Sequence, residues 1–346
     1  MSDYIGLDVS LEDTHICIID AEGKTLSRLV AATEPDVLAQ AIKEHAPDVQ
    51  TIILETGGQS AWLQQGLASH GLPVVIVDAR QAKKALSARL NKTDTNDAEG
   101  LAQLARTGWF KQVLAKRPVT RRIRSIMMAR ELIVRQRRDI SNQIRGLLRG
   151  FGLKMGAVSH LRFEARVYAL AEAEPALLCA LEPLLRVRDV LGVQLARLDK
   201  QLGSMAHKDA DARRLMSVPG VGPMTALAFM TALDQPDRFT RSADVGAYLG
   251  LTSRRYQSGE VNWSGRISKH GDTLARAMLY EAANALMTRV KRWTPQKAWA
   301  VRLAARRGGA KARVALARVA LARKLAVILH RIWVDGTTFK WSNKPA

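Results

Sequence analysis

Short apolar runs alternate with segments of helical periodicity over the first 107 residues, and this pattern constrains the fold more than any other feature of the chain. Apolar runs bounded by turn residues predict strands, and apolar residues spaced by about three or four predict helices. The predicted strands are YIGLDV, THICIIDAEGK, TLSRLVAA, QTIILE and LPVVIVD, and the predicted helices are 34–46, 60–70, 79–90 and 94–107. Because parallel neighbours need crossover helices, the order β-β-β-α-β-α-β-α predicts an α/β domain with a mixed sheet over residues 1–115.

The charge of the chain is strongly positive. It has 53 Lys and Arg residues against 32 Asp and Glu, which gives a formal net charge of +21 at pH 7. A field of this sign attracts polyanions, of which nucleic acid is the usual one, and the many arginines suit bidentate phosphate contacts. Apolar residues make up 47% of the chain, which predicts a folded protein rather than a charged disordered one.

Targeting signals and cysteine usage exclude several other classes. No apolar run approaches the ~18 residues needed to span a bilayer. An N-terminus with Asp3 and Asp8 and no basic segment predicts that there is no signal peptide. The two cysteines, Cys17 and Cys179, lie far apart without ligand spacing, which excludes a disulfide scaffold or a zinc knuckle. We therefore expect a protein of a reducing cytoplasm with no membrane partner.

The character of the chain changes over residues 116–208. Arginine becomes frequent within residues 120–149 while apolar residues keep a helical period, and leucines recur at helical spacing within 175–203. This pattern predicts two long helices that form an antiparallel hairpin or a coiled coil. A helical spacer that dimerises is the simplest role for this region.

A third, mostly helical region is predicted over residues 209–346. The segment VPGVGP, with Gly220 and Gly222, lies between two helical patterns and has the look of a helix-hairpin-helix, whose turn amides hold a phosphate; a plain αα-hairpin also needs such glycines. A polar, basic loop punctuated by glycines follows. From Ala282 to Val334 there is no acidic residue, and a bound polyanion best explains so long a run of uncompensated charge. Its cations are Arg289, Lys291, Arg292, Lys297, Arg302, Arg306, Arg307, Lys311, Arg313, Arg318, Arg323, Lys324 and Arg331.

Four carboxylates stand out in the first domain. Asp94 and Asp97 lie three residues apart at the start of a helical pattern, where Thr93 or Asp94 is a suitable N-cap and acids favour the helix dipole. Asp8 and Glu55 each end an apolar strand. All four converge if the two strands are neighbours, and carboxylates placed in this way suit one or two Mg²⁺ ions. Helix capping and metal binding are compatible readings of the Asp94 and Asp97 pair.

The order and spacing of these motifs resemble a known family. An order D…E…D-x-x-D on such a domain resembles the RuvC-like branch of the ribonuclease H fold. Over nearly the full length, the chain resembles DEDD-type insertion-sequence recombinases of the IS110 family, which includes the Piv invertase. The motifs are YIGLDVS, ILETGG, NKTDTNDAEGLAQLA, VPGVGPMTALAF and GLTSRRYQSG. The KTD-x-x-DA and RRY-x-SG blocks are the most specific, whereas the long helices match only in character.

The resemblance implies a role for particular residues. It assigns the metal site to Asp8, Glu55, Asp94 and Asp97, and the nucleophile to Ser258 in RRYQSG. Chemistry alone does not select Ser258, since other hydroxyls lie in the same basic loop: Ser253, Tyr256, Ser264 and Ser268. Gly259 there allows a tight backbone approach. The candidate nucleic-acid contacts are Lys92, Gly220, Gly222, Arg254, Arg255, Arg266 and Lys269.

The same resemblance implies a reaction and a set of partners. Ser258 is expected to attack a DNA phosphodiester and form a covalent phosphoserine link, after which strands exchange and rejoin. A structured guide RNA, or bridge RNA, is expected to pair with both donor and target DNA. The family also implies an active site composed across subunits, hence a dimer that assembles into a tetramer, in the bacterial cytoplasm and associated with the nucleoid.

Other functions stay open at this point. A site-specific DNA invertase of the Piv type shares the chemistry and differs in its DNA sites. A plain RuvC-like structure-specific endonuclease uses water on a two-metal site and does not need Ser258. A non-catalytic architectural protein uses the four acids only as caps and its basic tail to pack nucleic acid.

Overall fold

The computed structural model of the chain describes residues 2–87, 93–305 and 310–341. It divides into two compact units, residues 1–116 and residues 117–346. The boundary between the two units, after residue 116, lies next to the end of the sheet domain that the sequence predicts at residue 115. The predicted boundary between a second and a third domain after residue 208 stays a prediction. Within the described ranges, no helix is long and apolar enough to cross a membrane.

The first unit is an α/β structure whose elements follow the predicted order. The elements are β1 (Asp3–Val9), β2 (Asp13–Ile19), β3 (Thr25–Ala32), α1 (Pro35–His45), β4 (Val49–Glu55), α2 (Ser60–Ser69), β5 (Val74–Val77), α3 (Ala79–Leu86) and α4 (Asp94–Thr107). Helix α3 ends at Leu86, before the predicted end at residue 90, and residues 88–90 lie outside the described ranges.

The sheet of the first unit is mixed, which confirms the prediction. Its strand order is β3-β2-β1-β4-β5. Strand β2 pairs antiparallel with both β1 and β3, while β4 pairs parallel with both β1 and β5. The two parallel pairs therefore bring the carboxyl ends of β1, β4 and β5 to one edge of the sheet.

Side chains alternate across this sheet and bury a core on each face. Ile5 and Leu7 of β1 and Leu54 of β4 pack on one face, in a cluster with residues of α1 and α2. On the other face, Ile53 of β4 packs with residues of α3 and α4, among them Leu101. Because successive strand residues point to opposite faces, polar residues that follow Leu7 and Leu54 lie on the face of α4.

The second unit is mostly helical. Its elements are α5 (Pro118–Gly150), α6 (Phe163–Ala171), α7 (Pro175–Lys208), α8 (Ala210–Met216), α9 (Pro223–Leu233), α10 (Ser242–Tyr248), β6 (Ser253–Ser258), β7 (Val261–Ile267), α11 (Thr273–Thr288), α12 (Pro295–Ala304) and α13 (Ala310–Asp335). The two long helices predicted from the sequence are α5 and α7, and they pack against each other. Whether they supercoil as a coiled coil stays a prediction.

Two cores hold the second unit together. Ile144 and Leu148 of α5 pack with Leu181 and Leu185 of α7 and with Phe163 of α6. A larger core gathers residues of α5 and of α7–α13 around α9. Helix α9 is apolar on every side, and most of its residues are buried, as expected for a helix enclosed by others.

The basic segment around Ser258 is a β-hairpin, whereas the sequence predicted a loop. Strands β6 and β7 pair antiparallel through Tyr256 opposite Trp263 and Ser258 opposite Val261, with Gly259 and Glu260 as a two-residue turn. Every residue of β6 is exposed, so neither face buries an apolar row. The alternating pattern that reveals most strands is therefore missing from this sequence.

The carboxylate of Asp234 binds the N-terminal end of α5, where the second unit begins. Asp234 ends α9 with φ of 66° and is buried. It accepts hydrogen bonds from the Arg117 backbone amide at 3.0 Å, from Arg117 Nε at 3.1 Å and from the Thr120 hydroxyl. Burial by itself raises the pKa of Asp234, but the hydrogen bonds from Thr120 and Arg117 outweigh it and lower the pKa.

Replacing Asp234 with alanine is expected to lower the free energy of unfolding of the second unit by about 2 kcal/mol, because buried donors lose their acceptor. Since the folded pKa is the lower one, the stabilisation is full above the unfolded value near 4 and is lost as pH falls through the folded value. Urea unfolding of the wild type and the variant between pH 7 and pH 3 measures the difference in their free energy of unfolding and its dependence on pH. Asp237→Ala, an exposed neighbour, is the control; an equal loss in that variant contradicts the assignment.

Candidate active site

Asp8 and Glu55 lie side by side at the carboxyl edge of the sheet. The parallel strands β1 and β4 pair Leu7 with Leu54, so the next residue on each strand is one of the two acids. Both carboxylates are partly buried and lie on the face opposite the Leu7 and Leu54 side chains. The convergence of the carboxylates depended on these two strands being neighbours, and the register shows that they are.

Helix α4 contributes the other two carboxylates from its first turn. Its N-cap is Thr93, whose hydroxyl accepts a hydrogen bond from the Asn96 amide at 3.2 Å. Asp94 and Asp97 follow in the first turn, where the partial positive charge of the helix end favours acids. Of the two capping residues that the sequence allowed, the structure selects Thr93. The side chain of Asp94 is 72% exposed, and that of Asp97 is partly buried.

A glycine in β1 permits α4 to lie over the strand that carries Asp8. A Cβ atom at Gly6 would come within 2.0 Å of the Ala98 carbonyl oxygen and 2.4 Å of the Ala102 amide nitrogen. No side chain fits between the strand and the helix at this point. The sequence reasoning missed Gly6, although a glycine inside an apolar strand is the ordinary signal of a close backbone approach.

The four predicted carboxylates line one cleft of about 610 Å³. An all-oxygen donor set of this kind matches the preference of Mg²⁺, so the residue types and their common location fit the predicted ion. Among the described residues, however, no three His, Cys, Asp or Glu side chains are arranged as a group that holds a metal ion. The carboxylates thus share a cleft without forming a finished coordination shell in this arrangement.

Three basic side chains line the same cleft, and the sequence reasoning did not single them out. His15 of β2 lies opposite Asp8 in the register, and its Nε2 is 3.7 Å from a carboxylate oxygen of Asp94. Arg80 and Lys83 come from α3, one turn apart on the same side of the helix. The sequence signal that could have identified them is a pair of basic residues, three positions apart on a predicted helix, that precedes the KTD block. Cations beside carboxylates suit a site that must hold both metal and phosphate.

Ser258 lies at the tip of the β6–β7 hairpin. It directly precedes the turn, where Gly259 has φ of 54°, a left-handed conformation that glycine adopts without strain. Nothing lies within 4 Å of a Cβ built on Gly259. The turn geometry is therefore sufficient to explain this glycine, and a close approach to its backbone by a phosphate stays a prediction.

The face of the hairpin that carries Ser258 also carries an aromatic pair. Tyr256 and Trp263 stack with ring centroids 6.1 Å apart, and both are 55% exposed. Ser258 and Tyr256 are two residues apart on β6 and therefore share a face. Of the alternative hydroxyls, Tyr256 lies in this pair, Ser253 begins β6, Ser264 lies on β7 and Ser268 follows it.

The predicted nucleic-acid contacts are distributed over several elements. Arg254 donates to the Ser268 carbonyl at 3.2 Å and Arg255 to the Asn262 side chain at 3.2 Å, which orients both guanidinium groups along the hairpin. Arg266 and Lys269 are exposed. Lys92 lies outside the described residues.

The glycines of VPGVGP lie between α8 and α9, as predicted. Gly220 has φ of 86°, and a Cβ there would come within 2.5 Å of the Ala282 carbonyl oxygen in α11. Packing against α11 is therefore sufficient to explain Gly220. Gly222 is the N-cap residue of α9 and has open space around its Cα. Phosphate binding at this turn stays a prediction.

Several cations of the acid-free stretch already have partners within the second unit. Arg292 lies over the Trp341 ring and Lys324 over the Trp299 ring, at 4.6 and 4.7 Å from the ring centroids. Lys297 donates to the Val290 carbonyl at 2.6 Å. Folding alone thus accounts for part of this charge, which the sequence reasoning attributed to a bound polyanion.

Comparisons with known proteins agree with the motifs. Residues 5–152 match the family model for DEDD transposases of IS110, described as a transposase, and residues 212–300 match the transposase IS116/IS110/IS902 family. The first match contains all four carboxylates and the second contains Ser258. The structure also has a weak likeness to a solved structure of Thermus thermophilus RuvC, with 15% identity over 32% of this chain and 99% of that chain and a TM-score of 0.26.

Curated relatives cover most of the chain. The transposase for insertion sequence element IS1111A of Coxiella burnetii is 29% identical over 323 residues, 90% of this chain and 86% of the relative. A probable family 20 transposase of Pseudomonas aeruginosa is 30% identical, over 68% of this chain and 71% of the relative. The transposase for IS1328 of Yersinia enterocolitica is 25% identical, over 97% and 98%. The chain is therefore a member of the IS110 family of insertion-sequence transposases.

Proposed function

We propose that this chain cuts and rejoins DNA strands through a covalent bond between Ser258 and a DNA phosphate. The observation that carries the proposal is the convergence of Asp8, Glu55, Asp94 and Asp97 on one cleft in a chain of a transposase family. The domain that holds them is, on this proposal, a RuvC-like nuclease domain. Its strand order, with three antiparallel strands followed by two parallel ones, supports that assignment.

The reaction is a pair of transesterifications. The Ser258 Oγ forms a bond to phosphorus, the bond from phosphorus to one deoxyribose oxygen breaks, and that oxygen takes up a proton. A hydroxyl of another DNA end then attacks the phosphoserine, and Ser258 regains its proton. The number of phosphodiester bonds is conserved, so rejoining needs no separate energy source. Arg254, an even number of residues from Ser258 on β6 and so on the same face, is proposed to neutralise the phosphate, while Arg255 adds positive charge on the other face of the hairpin.

The four carboxylates are proposed to hold one or two Mg²⁺ ions. A bound Mg²⁺ supplies Lewis-acid stabilisation of the charge that develops on the phosphate oxygens. The chain's own residues contribute the oxygen ligands, and Arg80 and Lys83 contribute positive charge to the wall of the cleft. His15 lies beside Asp94 and also lines the cleft.

The partners of the reaction are part of the proposal. Donor and target DNA duplexes are the substrates, and a structured guide RNA selects them by base pairing. The basic charge of the chain supports nucleic acid as the partner in either form. We also propose a homodimer that assembles into a tetramer, in the bacterial cytoplasm and associated with the nucleoid. A site-specific invertase is the second candidate, because the same chemistry serves both functions.

Replacing Ser258 with alanine is expected to abolish the covalent protein–DNA adduct and strand cleavage together. The assay incubates full-length protein with labelled donor DNA, its guide RNA and Mg²⁺, and detects the adduct by denaturing electrophoresis. Ser264→Ala, on the partner strand of the same hairpin, is the matched control and is expected to keep both activities. If the Ser258 variant cleaves DNA at the normal rate without an adduct, water is the nucleophile and the plain endonuclease is the correct assignment.

A further inference from the structure

Two arginines from the long helices lie together in the second unit, and neither forms an ion pair with a carboxylate of the described residues. Arg188 of α7 is only 5% exposed. Its Nε donates to the Ser141 hydroxyl at 3.1 Å, and its guanidinium lies 4.1 Å from the centre of the Phe163 ring. The ion pairs of the described residues nearby join Arg130 to Asp199 and Arg138 to Asp139; neither Arg137 nor Arg188 takes part in one.

Arg137 of α5 completes the pair from the other side. Its guanidinium lies against α7 beside Gly192, and its buried Nε has no hydrogen-bond partner. Burial, and then the charge of Arg137, lower the pKa of Arg188. Burial, and then the charges of Arg137 and Arg188, likewise lower the pKa of His160. The field at this point is therefore positive, and Asp189 and Glu164 oppose it only in part.

A small cavity opens onto these groups. It has a volume of about 180 Å³ and is lined by Arg137, Arg188, His160 and Ser141, among others. Arginine stays charged in proteins, so the buried Arg188 beside Arg137 is unfavourable by itself when Asp189 and Glu164 balance its charge only in part. An anion in the cavity removes that penalty, and two planar guanidinium groups suit the oxygens of a phosphate.

We propose that the cavity between α5 and α7, lined by Arg137, Arg188, His160 and Ser141, binds one backbone phosphate of a nucleic acid. The site lies apart from the Ser258 hairpin in sequence and needs no catalytic step. This proposal depends on the proposed function in one respect, namely that nucleic acid is the source of the phosphate. DNA and RNA offer the same phosphodiester chemistry, so the experiment uses both.

Two variants separate binding from a structural role. Arg188→Met removes a buried charge and keeps most of the side-chain volume, so the thermal midpoint without anion is expected to rise. Arg137→Met leaves the contacts of Arg188 with Phe163 and Ser141 in place. Arg135→Met, an exposed arginine on the same helix, gives the same change in net charge and serves as the control.

The first measurement uses inorganic phosphate as the probe. Phosphate is expected to raise the thermal midpoint of the full-length protein more than chloride at equal ionic strength, because it binds only the folded state. Arg137→Met and Arg188→Met are both expected to lose this extra shift, and Arg135→Met is expected to keep it. An extra shift of wild-type size in both cavity variants overturns the proposal.

The second measurement uses a 12-nucleotide single-stranded RNA and a 12-base-pair DNA duplex. A plot of log affinity against log salt concentration has a negative slope. When Arg137 or Arg188 is replaced, the slope is expected to become shallower by about 0.7 for the RNA or about 0.9 for the duplex, which corresponds to the loss of one phosphate contact. The nucleic acid that shows the loss is the source of the phosphate. If neither slope changes in either variant, the cavity does not bind nucleic acid and the proposal is wrong.

Discussion

Replacing Asp97 with asparagine is expected to lower the rate of DNA strand cleavage by at least about a hundredfold, because loss of a metal ligand removes several kcal/mol of transition-state stabilisation. Asp97 is partly buried and faces the cleft with Asp8, Glu55 and Asp94. The same change relieves the repulsion between two like charges on α4 but also removes a favourable charge from the helix N-terminus, so the stability of the metal-free protein is expected to change little. Loss of activity without loss of stability is the signature of a metal ligand.

Binding of Mg²⁺ supplies a measurement that does not depend on catalysis. Added Mg²⁺ is expected to raise the thermal midpoint of the wild-type protein and to have little effect on Asp97→Asn. Asp36→Asn is the matched control, because Asp36 is also an acid in the first turn of a helix but lies outside the cleft. If Asp97→Asn responds to Mg²⁺ as the wild type does, Asp97 acts only on the helix dipole and the metal site is wrongly assigned.

Replacing Gly6 with valine is expected to destabilise the first unit by at least about 3 kcal/mol, the upper part of the range for overpacked cores. The clash is with backbone atoms of Ala98 and Ala102, and backbone in a helix has no rotamer to change. Helix α4 then has to move away from β1 and takes Asp94 and Asp97 with it. The variant is thus expected to lose the midpoint shift with Mg²⁺ even where it still folds.

Urea unfolding and the Mg²⁺ response of the same samples measure both consequences. Gly57→Val is the control within the same unit, because a Cβ atom on Gly57 would meet none of the described residues within 4 Å. A Gly6 variant as stable and as responsive to Mg²⁺ as the Gly57 variant contradicts the role of Gly6 in seating α4.

Much of the first unit was predictable from local patterns. Its strands are short apolar runs and its helices have clear periods, so β1, β4 and α4 form close to where the sequence predicts them. The Ser258 hairpin was not predictable in this way. Its two strands are mostly exposed, and it is defined by cross-strand pairs such as Tyr256 with Trp263 and by the turn at Gly259. Family resemblance, not chemistry, selected Ser258 among neighbouring hydroxyls.

The sequence by itself determined which residues are candidates for the chemistry: the four carboxylates are recognisable because each closes a strand or opens a helix, which are local properties. Only the tertiary structure decided that they share one cleft. That outcome depends on the parallel pairing of β1 with β4 and on the contact of α4 with Gly6. It also decided that Arg137 and Arg188, far apart in the chain, line the same cavity. Pairing and burial are relations between distant residues, and no local pattern encodes them.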